Sequence, residues 1–196
     1  MYLYMLPIST APSSSTSSAQ TALIPTPTHD GGLEHTAATF DNPHAWLAQA
    51  RSGAIILFPP QYYLLTLVSQ FLPLPATTTT NPPTPEACQA QRAALLTFLS
   101  TPQSPPTSAA AEKAGTHAIT WADKVMSPAA LLTRKADGRI VLGLDKPGPE
   151  LKGSGRGGDW ERVVLVRFGK DGPREVEVRG RGEVLEEERE GGEAKL

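Results

Sequence analysis

The densest group of potential metal ligands lies near the amino terminus, where His29, Asp30, Glu34 and His35 follow one another closely. Carboxylate oxygens and imidazole nitrogens of this kind can hold a divalent cation. The spacing supplies no well-placed further ligand, and Asp30-Gly31-Gly32 is typical of a turn that leads into a strand. We therefore favour the turn and keep Asp30, Glu34 and His35 only as candidate metal ligands.

A glycine-rich stretch contains Gly153, Gly155 and Gly158 in the pattern of a dinucleotide-binding loop. That chemistry needs a strand before the glycines and a helix amino terminus after them, where the pyrophosphate binds. Here Pro-Gly-Pro precedes the glycines and a strand-like segment starting at Trp160 follows them. The pattern therefore predicts a flexible loop. No histidine is placed by sequence to activate Cys88, and we assign no catalytic residue.

Composition and charge exclude several classes of protein. The 196 residues carry 18 basic and 20 acidic side chains, which gives a formal net charge of −2. This balance excludes nucleic-acid binding through bulk positive charge, and the single cysteine excludes an internal disulfide. The longest apolar stretches fall short of the roughly 20 residues that a membrane-spanning helix needs. We therefore expect neither a nucleic-acid partner nor a membrane partner.

The first part of the chain alternates apolar segments with tracts of Ser, Thr, Pro and Ala. Residues 2–8 and 34–40 are predicted to be short strands, and residues 9–28 a mobile loop. Asn42-Pro43 and Thr84-Pro85 each place a capping side chain before a proline, which favours the start of a helix. Residues 61–72 show a helical pattern that is apolar almost all round, and such a helix must be buried.

The apolar period changes to two in the last third of the chain. Asp137-Gly138 and residues 169–173 are typical of tight turns, and each lies between two strand-like segments. In the second hairpin Val176 and Val178 are expected to face inward. Residues 183–193 are strongly acidic and are expected to fray.

These patterns predict an α+β fold with a hairpin-rich carboxy-terminal sheet and long low-complexity loops. The predicted organisation has four parts: residues 1–72, then Pro/Thr/Ala-rich insertions at 73–122 around one helix at 84–100, then a β-hairpin region at 123–183 and an acidic tail at 184–196.

Several of these segments together resemble one family. Residues 53–65, which contain the block Pro59-Pro60-Gln61-Tyr62 after an apolar stretch, and residues 30–36 are similar to the carboxy-terminal part of Nudix hydrolases. The similarity is to the branch of the peroxisomal coenzyme A diphosphatases, especially the fungal ones. Residues 128–132 and 137–149 resemble the tail region of the same branch. The resemblance covers about half of the chain and implies a partial Nudix-type fold, with residues 1–72 as a remnant of its core.

The resemblance implies hydrolysis of a diphosphate linkage in a nucleotide derivative such as coenzyme A, with Mg²⁺ or Mn²⁺ held by the glutamates of the Nudix signature. It also makes Pro59, Pro60, Gln61 and Tyr62 candidates for the wall of a substrate pocket. The signature itself is absent, because residues 174–179 imitate only its centre and alternate like a strand. We therefore expect a chain that starts inside a Nudix domain, as a truncated or inactive form without the catalytic metal site.

The carboxy terminus, Ala194-Lys195-Leu196, resembles a peroxisomal address that an import receptor reads. Peroxisomal location is therefore expected, with the cytoplasm as the alternative.

Three hypotheses stay open at this stage. The chain is an inactive fragment of a diphosphatase, or it is a non-catalytic protein that binds a ligand or partner through the apolar segment 54–72. The third hypothesis is that the isolated chain does not fold. The free energy lost with missing partner strands can exceed the stability of a domain, which is about 5 to 15 kcal/mol. Whether the chain is an enzyme is left undecided.

Overall fold

The structure is a computed structural model that describes residues 41–73, 83–103 and 105–193. These residues form five α-helices and four β-strands, so the predicted α+β class is confirmed. In chain order the elements are α1 Pro43–Arg51, α2 Pro59–Ser69, α3 Pro85–Ser100, α4 Ala109–Ala114, β1 Ala129–Thr133, β2 Ile140–Leu144, β3 Asp159–Gly169, β4 Gly172–Gly180 and α5 Arg181–Glu193. The strands make one antiparallel sheet in the order β1-β2-β3-β4.

The predicted helix starts are confirmed. The His44 backbone N–H donates to Asn42 Oδ1 at 2.9 Å, and the Ala87 N–H donates to Thr84 Oγ1 at 3.2 Å, so both caps satisfy a free donor of the first helical turn. Helix α2 begins at Pro59 and ends at Ser69, which is earlier at both ends than the predicted range 61–72. Its start is earlier because two prolines are tolerated at the first positions of a helix.

Both predicted hairpins are confirmed. Gly138 has φ of 72° beside the β1–β2 turn, and Gly172 has φ of 99° directly after the β3–β4 turn. Both angles lie in the left-handed region that glycine adopts most easily. Val176 is buried and Val178 packs against the same core, so the inward face of β4 is the predicted one.

The sheet buries a separate apolar cluster on each of its faces. One face packs against α1 and α2, with Tyr63 and Leu67 contributing from α2. The residues that this cluster buries on the strands are Leu142, Leu144, Val164, Val166 and Val176. The opposite face packs Val141, Val163 and Leu165 against Val184 of α5. Burial of apolar side chains on both faces is the main stabilising term of this layered arrangement.

The prediction that residues 183–193 fray is wrong, because Arg181–Glu193 form α5 against the sheet. Val184 is fully buried there. The acidic residues also meet basic ones of the sheet, since Glu187 accepts hydrogen bonds from Arg134 at 2.6 Å and from Arg179 at 2.6 Å. One apolar anchor and these ion pairs hold a helix whose composition alone indicates a solvated tail.

Replacing Val184 with alanine is expected to lower the free energy of unfolding by about 2 kcal/mol, because two buried methyl groups are lost. Leu185→Ala is the matched control, since Leu185 is 37% exposed and its truncation is expected to cost well under 1 kcal/mol. Urea unfolding monitored by circular dichroism measures both values. Equal values for the two variants would contradict the docking of α5.

The segment before the sheet is more ordered than the predicted insertion. Ala111 of α4 is 1% exposed, and the Thr107 N–H donates to Glu161 Oε1 of β3 at 3.1 Å. Pro102 and Thr120 form an isolated antiparallel bridge. Helix α4 contacts β3, and Ala111 is its buried residue.

Three predicted elements lie outside the described residues. They are the strands at residues 2–8 and 34–40 and the loop at residues 9–28.

Candidate functional site

A cleft of about 620 Å³ lies between α1, α2 and β4. The helices contribute His44, Leu47, Arg51, Tyr62, Thr66 and Ser69 to its lining. The sheet contributes Arg139, Glu175, Val176, Glu177 and Val178. Leucine, tyrosine and valine side chains thus form an apolar floor, and charged side chains surround it.

Two contacts fix the helices that form the cleft. His44 Nε2 donates to the Leu72 carbonyl oxygen at 3.1 Å, which joins the start of α1 to the chain just after α2. The Tyr63 hydroxyl donates to Asp159 Oδ2 at 2.6 Å, which ties α2 to the start of β3. Tyr62 directly precedes Tyr63 in α2, so these contacts also set the position of the Tyr62 ring in the cleft.

Asp159 is the centre of a buried polar cluster behind the cleft. Its carboxylate is fully buried and accepts hydrogen bonds from Tyr63, from Gln103 Nε2 at 2.9 Å and from Arg162 at 3.0 Å. Burial acts to raise the pKa of Asp159, but the Tyr63 hydrogen bond, the Arg162 charge and the Gln103 hydrogen bond outweigh burial and hold it below its usual range. Burial, followed by the Asp159 charge, raises the pKa of Tyr63. This cluster is a support for α2.

Tyr62 places a phenol hydroxyl in the cleft. Its side chain is 4% exposed, and burial raises the pKa of its hydroxyl, with a smaller contribution from the charge of Glu177. The Arg51 guanidinium lies beside the hydroxyl and acts in the opposite direction on this pKa. Tyr62 therefore remains a neutral hydroxyl that can donate or accept a hydrogen bond.

Each charged group on the sheet side of the cleft forms an ion pair. Arg139 binds Glu177 at 2.8 Å and Asp137 at 2.9 Å, and Glu175 binds Arg167 at 3.0 Å. Within the described part of the chain, Arg51 has no carboxylate at ion-pair distance. Arg51 is thus the cation of the cleft whose charge is not offset by a carboxylate in that part of the chain.

Tyr62 alone of the four predicted pocket residues lines the cleft. Pro59 is buried and Pro60 exposed at the start of α2, and Gln61 Oε1 accepts the Phe58 N–H at 3.0 Å. These three residues build the beginning of the helix that carries Tyr62. The candidate metal ligands Asp30, Glu34 and His35 and the targeting residues Ala194, Lys195 and Leu196 lie outside the described residues.

The other polar residues of the cleft were not predicted from the sequence. Arg51 is the last residue of α1, and Arg139 and Glu177 look like ordinary outward charges of a hairpin. The one signal for Arg51 is its place at the end of a helix directly before the apolar segment 54–58. Arg51, Arg139 and Glu177 come together only because α1 and α2 pack on β4.

The glycine-rich stretch is a loop, and β3 begins at Asp159 directly after it. The prediction of a loop is confirmed in place of a dinucleotide site, because a strand follows the glycines where that site needs a helix. Across residues 41–73, 83–103 and 105–193, no three His, Cys, Asp or Glu side chains group together so as to hold a metal ion.

Comparison of the sequence with protein-family models, with curated proteins and with solved structures gives no match. None of the described helices is both long enough and apolar enough to cross a membrane.

Proposed function

We propose that this chain is a non-catalytic binding protein that holds a small molecule in the cleft between α1, α2 and β4. The observation that carries the proposal is the lining of the cleft, with an apolar floor and an arginine whose charge no described carboxylate offsets. Its volume of about 620 Å³ lies in the range of small-molecule sites, roughly 300 to 1,000 Å³. Such sites combine apolar walls with a few polar groups that orient the ligand.

The ligand class follows from the residues at the floor and the rim. The Tyr62 ring offers a flat apolar surface with a hydroxyl, and Arg51 offers a planar guanidinium suited to phosphate oxygens. A nucleotide derivative with a diphosphate carries both a flat base and negative charge. The resemblance of residues 53–65 to the diphosphatase branch of the Nudix family supports the same class, with coenzyme A as the example, and with it a partial Nudix-type fold.

The described cleft residues do not fit Mg²⁺ or Mn²⁺, which the resemblance implies. Such ions need several carboxylate oxygens that converge on one point. The two glutamates of the cleft each bind an arginine instead, Glu177 to Arg139 and Glu175 to Arg167. Binding without hydrolysis is therefore the function that we assign to this cleft.

Replacing Arg51 with glutamate is expected to weaken the binding of coenzyme A at least tenfold. The change reverses the charge at the cleft and places a carboxylate against the diphosphate. Lys170→Glu is the matched control, because it makes the same change of charge at the exposed β3–β4 turn and is expected to alter the affinity less than twofold. Isothermal titration calorimetry of the full chain and both variants measures the effect.

Two outcomes would contradict this proposal. Equal losses of affinity in Arg51→Glu and Lys170→Glu would indicate attraction by net charge alone. Turnover of coenzyme A by the purified chain with Mg²⁺ or Mn²⁺, measured by release of the adenosine-containing product, would contradict the non-catalytic assignment.

A further inference from the structure

A second pocket of about 520 Å³ lies at the other end of the sheet. It forms where the loop from β2 to β3, residues 145–158, faces the segment just before β1. Ser127, Lys146, Lys152 and Arg156 give its polar lining, and Pro147 and Pro149 are part of its apolar wall. None of these residues lines the cleft, so an inference about this pocket does not depend on the proposed function.

Backbone hydrogen bonds fix the base of this pocket. The Ser127 N–H donates to the Lys146 carbonyl oxygen at 2.7 Å, which holds the two sides of the pocket together. The Val125 N–H donates to the Gly157 oxygen at 3.1 Å, and the Gly158 N–H donates to the Asp145 oxygen at 3.0 Å. The pocket is therefore built on a bonded frame, so its lining side chains start from defined backbone positions.

The three cations of the pocket differ from three arginines in and beside the sheet. Arg134, Arg139 and Arg179 each bind at least two carboxylates. In the described part of the chain, the cationic groups of Lys146, Lys152 and Arg156 bind no carboxylate.

The loop itself contains two carboxylates, which do not balance its three cations. Asp145, at its start, binds Arg181. Glu150 lies close to the pocket, with Oε2 3.4 Å from the place that a Cβ on Gly148 would occupy. One neighbouring carboxylate faces three cations, so the pocket keeps a net positive charge.

The chemistry of these groups suits a multiply charged anion. Two lysines supply compact charges, arginine supplies a planar pair of donors for two oxygens, and the Ser127 hydroxyl supplies a further donor. A phosphoryl group carries close to two negative charges at neutral pH and three acceptor oxygens. The proline wall favours an organic group attached to that phosphate.

We propose that the pocket formed by Ser127, Lys146, Lys152 and Arg156 binds the phosphoryl group of a small phosphorylated molecule. The loop from β2 to β3 is then a phosphate-binding loop that uses side-chain cations. It does not use a helix amino terminus, so it differs from the dinucleotide-binding loop whose glycine spacing Gly153, Gly155 and Gly158 share.

The test uses inorganic phosphate as the probe and the full chain labelled with ¹⁵N. Titration is expected to shift the amide signals of Ser127 and of residues 146–156, and a triple variant, Lys146→Ala with Lys152→Ala and Arg156→Ala, is expected to bind at least tenfold more weakly. The matched control removes three exposed cations elsewhere, Lys135→Ala with Lys170→Ala and Arg189→Ala, and is expected to change the affinity less than twofold.

Three results would overturn the proposal. The first is a titration that shifts no signal of residues 146–156. The second is an equal loss of affinity in the triple variant and its control, which would mean that net charge alone attracts phosphate. The third is binding of the chain to vesicles of phosphatidic acid and phosphatidylcholine without any response to inorganic phosphate, which would assign these cations to a membrane surface.

Discussion

Replacing Asp159 with asparagine is expected to lower the free energy of unfolding by about 3 kcal/mol. The buried carboxylate accepts hydrogen bonds from Tyr63, Gln103 and Arg162 and from the Glu161 backbone N–H at 2.9 Å. Every one of these partners is a donor. The asparagine amide brings a donor of its own among them, so it leaves at least one partner unsatisfied and removes the charge that pairs with Arg162.

The pH dependence of stability identifies the cause of this loss. Because the folded-state pKa of Asp159 is depressed, its stabilising contribution is present above the unfolded value of about 3.9 and is lost as the pH falls through the folded value. The difference between the wild-type chain and Asp159→Asn is therefore constant near pH 7 and shrinks below about pH 4. Urea unfolding at a series of pH values measures it.

Asp171→Asn is the control for this prediction, since Asp171 is exposed at the β3–β4 turn. Its expected effect is within about 0.5 kcal/mol. A loss of the same size in both variants, or a loss in Asp159→Asn that does not change with pH, would rule out the buried carboxylate as the source.

Replacing Gly158 with alanine is expected to lower the free energy of unfolding by about 3 kcal/mol or more. A Cβ at this position would overlap the Leu144 carbonyl oxygen and the Met126 side chain, and it would lie 3.1 Å from the Val125 oxygen. Two of these three neighbours are backbone atoms, one in β2 and one in the segment before β1, so the strain is not relieved by a change of rotamer. Thermal unfolding by differential scanning calorimetry measures the loss.

Gly182→Ala gives the opposite expectation for the same chemical change. No atom lies within 4 Å of the place that its Cβ would occupy in α5. Alanine is favoured over glycine inside a helix by up to about 1 kcal/mol, so this variant is expected to be neutral or stabilised. A Gly158→Ala chain as stable as the wild type would contradict the close approach of these segments.

Local patterns were sufficient to predict much of the fold. The starts of α1 and α3 follow from Asn42 and Thr84, because a cap followed by proline acts within one turn of helix. The two hairpins follow from their glycine-containing turns and from the alternation of apolar residues in the strands. Each of these signals depends on residues a few positions apart, which is why sequence reasoning can detect them.

Elements held by distant contacts were not predictable in the same way. The composition of α5 indicates a solvated segment. In the structure Val184 packs on the face of the sheet opposite α1 and α2, and Glu187 binds Arg134, which is 53 residues away. The cleft likewise joins Arg51 of α1 to Arg139 and Glu177 of the sheet. No local periodicity encodes such a meeting, because it is set by how the layers pack.

The basic pocket gave a weak signal that sequence reasoning did not use. Residues 146–157 contain three basic residues and only one acidic residue, while β3, which follows them, mixes both signs. The spacing of Gly153, Gly155 and Gly158 predicts only a loop. The distribution of charge along that loop was the more informative feature.

The bond between Tyr63 and Asp159 also bears on how the chain folds during its synthesis. These residues are 96 positions apart. At about 5 to 20 residues per second, the ribosome therefore adds Asp159 roughly 5 to 20 s after Tyr63. During that interval the nascent α2 has no sheet on which to dock, and its apolar side chains are open to other molecules. Molecular chaperones that shield such a segment would bind it in this window, before β3 leaves the exit tunnel.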